Sequence, residues 1–138
     1  MTLRVVLDAN VLISAAIQRG PSYRIVQLWL AGQTFELVIS DQVLAEVADV
    51  LARPRLAKRI AAVQAETYLR SIRITADVLT DPGPSERFTR DPDDDYLIAL
   101  ARQHNADFIV TGDKDLLRWA EQDPPAITPA AFETLITT

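Results

Sequence analysis

Six acidic side chains stand where expected strands end or where the helices after them begin: Asp8, Glu46, Asp94, Asp95, Asp113 and Asp115. Ligands of an open parallel sheet bind outside the carboxyl ends of its strands, where strand order reverses. Carboxylates gathered on that edge repel one another. Two outcomes relieve them: shared protons with raised pKa values, or a divalent cation. Oxygen-only ligation suits Mg²⁺ or Mn²⁺ rather than zinc. The chain has no cysteine, and its one histidine, His104, falls late in a helix where it interacts with the dipole. A plainer account exists for each acid taken singly, because Asp and Glu favour loops and first helical turns as caps.

Helix phase sorts the acids further. Val43, Leu44, Val47 and Leu51 define the apolar face of a helix over residues 41–52. Glu46 lies at the margin of that face and Asp49 points nearly opposite. On the next acidic helix Asp94 is in phase with Leu97, Ile98 and Ala101, and Asp95 is displaced by a residue. An acid on or beside a core-facing stripe costs free energy unless it is paired or bound to a metal. Lys114 and then Arg90 are the nearest bases in sequence.

The elements that must position these groups follow from periodicity and punctuation. Leu3–Leu7 reads as a buried strand, Asn10–Ile17 as a short helix, and Pro21 opens a second that stops at Gly32. Phe35–Ile39 is the second strand, and Ser40 caps the 41–52 helix, which Pro54 ends. Ala65, Tyr68, Leu69 and Ile72 mark a further helix, and Ala76–Thr80 a third strand. After a loop over 81–93 come a buried helix 94–104, a strand 107–111, a helix 116–121, a strand 126–128 and a helix 129–136. Strands alternating with helices imply a parallel sheet covered on both faces.

The chain is 138 residues long with 49% apolar and 24% charged residues, an ordinary globular composition. The longest apolar run, Tyr96–Ala101, is far short of the ~20 residues a membrane span needs. No leader is expected, and the absence of cysteine agrees with a reducing cytoplasm. The net charge of −5 is unevenly spread. Residues 53–73 hold Arg53, Arg55, Lys58, Arg59, Arg70 and Arg73 against the single acid Glu66. That segment is a candidate for phosphate contacts, or a solvated face of two helices.

Four stretches taken in series, Val6–Leu12, Ile39–Glu46, Arg90–Ala101 and Val110–Leu116, resemble the PIN-domain nucleases. The similarity is greatest to the toxin components of toxin–antitoxin systems related to the VapC toxins, and it covers essentially the whole chain. It implies a single PIN-like domain over residues 1–138, built as a three-layer α/β/α sandwich around a mainly parallel, roughly five-stranded sheet. It also implies a Mg²⁺- or Mn²⁺-dependent endoribonuclease site that hydrolyses RNA phosphodiester bonds. The family's first acid falls on Asp8, the second on Glu46, the third on Asp94 and the fourth on Asp113. Asp94 is chosen over its neighbours Asp93 and Asp95 from its spacing to Leu97–Ala101 and from helix phase.

Asn10, Ser40 and Thr111 fall on the small polar positions of these motifs, and Asn10 and Thr111 are expected to fix carboxylate rotamers. Asp95 and Asp115 either reach the metal through water or cap helices. The resemblance further implies a cognate antitoxin whose C-terminal segment covers the site. A homodimer or higher assembly is expected, with Trp29 and the apolar stripes of the early helices as a partner surface or as core. The alternative is a non-catalytic PIN-type module that binds RNA or a partner. A phosphatase-like site is disfavoured because Asp8-Ala9-Asn10 lacks the second Asp of such a loop.

Overall fold

The computed structural model describes residues 2–32, 34–84 and 86–138. Strands β1 (Arg4–Leu7), β2 (Glu36–Ser40), β3 (Val78–Leu79), β4 (Phe108–Val110) and β5 (Ala126–Ile127) alternate with helices α1 (Ala9–Ile17), α2 (Pro21–Gly32), α3 (Asp41–Leu51), α4 (Ala62–Thr75), α5 (Pro92–Gln103), α6 (Lys114–Leu117) and α7 (Pro129–Thr137). The strands form one five-stranded sheet in the order β3-β2-β1-β4-β5. Every pairing is parallel, so the sandwich is more uniform than the mainly parallel sheet expected.

Central parallel strands are buried on both faces and read as continuous apolar runs. Val5, Val6, Leu37, Val38, Ile39, Ile109 and Val110 are all buried. From β1 the chain steps outward to β2 and β3, then crosses back to β4 on the other side of β1. Right-handed crossovers therefore put the helices before β3 on one face and α5 and α6 on the other. Contacts agree: α1 packs on α2 and α3, α2 on α7, and α5 on β1 and β4. Phe132 of α7 closes the first face with its ring edge-on to Phe35, centroids 5.1 Å apart.

The reversal in strand order lies between β1 and β4, which pair from Val5↔Phe108 to Leu7↔Val110. Their carboxyl ends open side by side, with α5 packed against both.

Several elements differ from the sequence reading. The third strand keeps two residues of the expected 76–80, because it is an edge that pairs only Ile39 and Ser40. Helix α5 starts at Pro92 rather than 94, since Asp91 caps it and proline suits its first turn. Helix α6 begins two residues before the expected 116–121 span and ends within it, keeping four residues, Lys114–Leu117, capped by Asp113. Trp29 is buried inside the chain and is core rather than partner surface, as is Trp119. Among the described residues no helix is long and apolar enough to cross a membrane.

Candidate metal centre

Three of the helices that begin on this edge are capped by an aspartate. Asp8 Oδ1 accepts the Asn10 amide at 3.2 Å to open α1. Asp91 Oδ1 accepts the Asp93 amide at 2.9 Å to open α5. Asp113 Oδ1 accepts the Asp115 amide at 2.8 Å to open α6. Capping thus explains why these side chains stand at the helix starts, and it occupies only one oxygen of each.

The buried Thr111 ties β1 to β4. Its hydroxyl donates to Asp8 Oδ2 at 2.7 Å and accepts the Asp113 amide at 3.0 Å. Asp94 sits three residues after Asp91, so a single helical turn stacks the two. It is 3% exposed, and its Oδ2 is buried without a hydrogen-bond partner. One oxygen from each of Asp91, Asp94 and Asp113 lies within 4.8 Å of the other two.

These three, with Asp8, Asp93 and Glu46, line a cavity of about 190 Å³ together with Asn10, Gln42, Val43, Tyr96 and Leu97. No arginine or lysine lines it among the described residues. On its far side the Tyr96 hydroxyl lies 2.6 Å from Ser40 Oγ and donates to Asp81. Ser40 Oγ also accepts the Val43 amide at 3.4 Å, so one small hydroxyl caps α3 and links it to α5.

Electrostatics follow from this crowding. Burial first, then the charges of Asp113, Asp91 and Asp8, push Asp94 up to about 7. Burial also raises Asp8, although the bonds from Thr111 and Asn10 oppose it. Glu46, on α3 at the rim, is raised by desolvation and then by Asp93 and Asp8, with Arg53 pulling the other way. Ligand oxygens around one hard divalent cation lie within about 4–5 Å of one another. The spacing of the three aspartate oxygens, the all-oxygen donor set and the orphaned Oδ2 of Asp94 therefore fit such an ion.

Of the residues expected from sequence, Asp8, Glu46, Asp94, Asp113 and Asn10 meet in this cavity. Ser40 and Thr111 stand behind it and hold its walls. Asp95 and Asp115 do not line it. The 1%-exposed Asp95 is turned to the other side of α5. Its Oδ1 accepts the amides of Phe88 and Thr89 at 3.0 and 2.8 Å and the Thr89 hydroxyl at 3.0 Å. Its Oδ2 lies 2.9 Å from Arg87 Nε. Asp115 accepts Arg90 Nη2 at 2.9 Å, so the base that answers this acid is Arg90 and not Lys114.

The basic segment lies outside the cavity. Arg53 pairs with Asp49 at 3.4 Å and Arg73 with Asp41 at 3.0 Å, while Arg59 donates to the Ile17 carbonyl at 3.2 Å. Arg55, Lys58 and Arg70 are exposed. His104 caps the end of α5 with Nε2 2.8 Å from the Thr80 carbonyl oxygen. Sequence reasoning missed Asp91 and set Asp93, which also lines the cavity, behind Asp94. The signal was the Asp-Pro step at a helix start, which puts Asp91 one turn before Asp94.

The family model described as PIN domain matches residues 4–115. No curated protein matches in sequence. Among solved structures the fold is similar to the crystal structure of PAE2754 from Pyrobaculum aerophilum, with a TM-score of 0.71 and 18% identity over 97% of this chain and 89% of that one.

Proposed function

The chain belongs to the PIN domain family, and from that premise we propose that it is a metal-dependent endoribonuclease, one domain over residues 1–138, acting as the toxin of a toxin–antitoxin pair. PIN domains are generally metal-dependent nucleases. The observation that carries the reading is the cavity itself, where six carboxylates converge with no arginine or lysine among the described residues that line it. Such a pocket accepts a polyanion only after a cation has been taken up.

Asp91, Asp94 and Asp113 are the groups to hold Mg²⁺ or Mn²⁺, with Asp8 completing the wall beside them. A cation there would lower the pKa of a bound water and stabilise charge gathering on a phosphate. Thr111 fixes the Asp8 carboxylate and the Asp113 backbone, so two walls of the pocket keep their separation. Glu46 makes no side-chain hydrogen bond among the described residues and lines the cavity, so it would complete the ligand set or orient an attacking water. Arg53 acts on Glu46, and the basic run Arg53, Arg55, Lys58, Arg59, Arg70 and Arg73 is the candidate surface for RNA phosphates flanking the cut. The uncompensated acids equally suit an antitoxin that inserts a basic side chain.

The test is cleavage of a mixed single-stranded RNA by the purified chain with Mg²⁺ or Mn²⁺, with EDTA, and after Asp113→Asn. We expect internal cuts that vanish with EDTA and in the variant. RNA that binds but stays intact with either metal would overturn the nuclease and leave a non-catalytic binding module. Growth arrest on expression, relieved by the same variant, tests the toxin role.

A further inference from the structure

Asp91 enters the metal centre from a loop, not from a strand end, and the loop is held by a side chain on the opposite side of α5. Residues 86–91 have no regular secondary structure, among those described. What fixes their path is the carboxylate of Asp95, which gathers the Phe88 and Thr89 amides and the Thr89 hydroxyl on Oδ1. The Thr89 hydroxyl oxygen stands 3.0 Å from both Asp95 Oδ1 and the Asp91 carbonyl oxygen, one of which takes its single proton, and it accepts the Asp91 amide at 3.1 Å. A continuous chain of bonds therefore runs from the core carboxylate through one hydroxyl to the backbone of a residue whose own carboxylate meets Asp94 and Asp113. Phe88 anchors the same loop edge-on against Trp119, ring centroids 5.7 Å apart.

We infer that Asp95 and Thr89 are positioning residues that deliver Asp91 to the cation site as its third carboxylate. The inference rests on the reading of the pocket as a cation site. Asp95 does not touch the ion; it holds the strap from which Asp91 reaches it. Without the Thr89 hydroxyl, Asp91 keeps its charge but loses its fixed place, and the site drops from three held carboxylates to two.

Free Mn²⁺ counted by its electron paramagnetic resonance signal, at pH 8 on the full chain without RNA, reads this directly. Thr89→Val should weaken Mn²⁺ binding about tenfold or more, the scale on which partners behind metal ligands act. Thr89→Ser keeps the hydroxyl and should restore wild-type affinity. In an Asp91→Asn background, Thr89→Val should add no further loss, because the two act in series. Should Thr89→Val not fold, Arg87→Met, at an exposed position of the same strap, should weaken Mn²⁺ in the same direction by a smaller factor.

Unchanged affinity in Thr89→Val, or an additional tenfold loss in the Asp91→Asn background, overturns the positioning role. A wild-type chain that takes up no Mn²⁺ overturns it as well. Mn²⁺ bound with the expected hierarchy but no RNA cleaved would sink the nuclease while leaving this inference standing.

Discussion

The two sides of the first turn of α5 carry adjacent aspartates of nearly equal burial and opposite circumstance. Asp94 and Asp95 are 3% and 1% exposed. On the pocket side Asp94 faces like charges and, unlike Asp95, has a bare oxygen with no cationic side chain against it among the described residues, and it is pushed up to about 7, by burial first. On the loop side burial would raise Asp95 too, but the donors of Phe88 and Thr89 and the charge of Arg87 outweigh it and hold its pKa low. Burial alone therefore does not distinguish a binding carboxylate from a structural one. What distinguishes them is whether the fold itself supplies the donors: where it does, the acid stabilises the chain, and where it does not, a ligand must.

The largest effect should come from cutting the pocket side. Asp94→Asn is expected to lower RNA cleavage about 1,000-fold, as loss of a group that stabilises the reacting charge does. The same change relieves repulsion with Asp113 and Asp91, so the melting temperature of the metal-free protein at pH 8 should rise. A fall in melting temperature would erase the contrast with Asp95. Asp95→Asn should do the reverse, removing the charge that the loop donors and Arg87 were built around. We expect it to cost about 3 kcal/mol, the scale for breaking a buried pair, or roughly 10 °C in melting temperature.

The pH dependence of the metal-free protein sharpens the comparison at smaller amplitude. A carboxyl raised from 3.8 to about 7 on folding binds a proton more tightly in the folded state. Its contribution to stability therefore declines as pH rises between about 4 and 7, then levels. Asp95, lowered on folding, acts oppositely: its contribution is full above its unfolded value of 3.8 and is lost as pH falls below it. Melting should drop by on the order of 5 °C from pH 5 to pH 8, and Asp94→Asn should flatten that slope. A slope that survives in Asp94→Asn assigns the titration elsewhere. Added Mn²⁺ should cancel the drop in the wild type, since it binds the ionised form.

The sequence could be read furthest where local rules act alone. Caps at Asp8, Ser40 and Asp113, and apolar runs at β1, β2 and β4, are short-range signals, and they located the acids at the crevice. Helix phase set Asp94 toward the core but treated Asp95 as displaced from it. The displaced side is covered by residues 86–91, a segment with no period to read, so its burial was invisible. The same segment hid Asp91, whose role as a cap was legible and whose meeting with Asp94 and Asp113 depends on the loop's path. Trp29 stood open between core and partner surface in the sequence because amphipathic stripes do not say whether the chain's own sheet or a partner covers them.

The smallest effect tests how Asp95 is neutralised. Three of its four partners are donors from the loop's Phe88 and Thr89, while the fourth, Arg87, has a side chain 67% exposed. An exposed guanidinium is solvated before and after pairing, so its net contribution is small and falls with salt. Arg87→Met should therefore cost only about 1 kcal/mol, roughly 4 °C, and the difference from wild type should shrink by about half in 1 M NaCl. If Arg87→Met instead matched Asp95→Asn in cost, the ion pair and not the loop amides would be what secures Asp95. The loop side of α5 would then be an electrostatic lock, open to salt, rather than a backbone clasp that salt leaves shut.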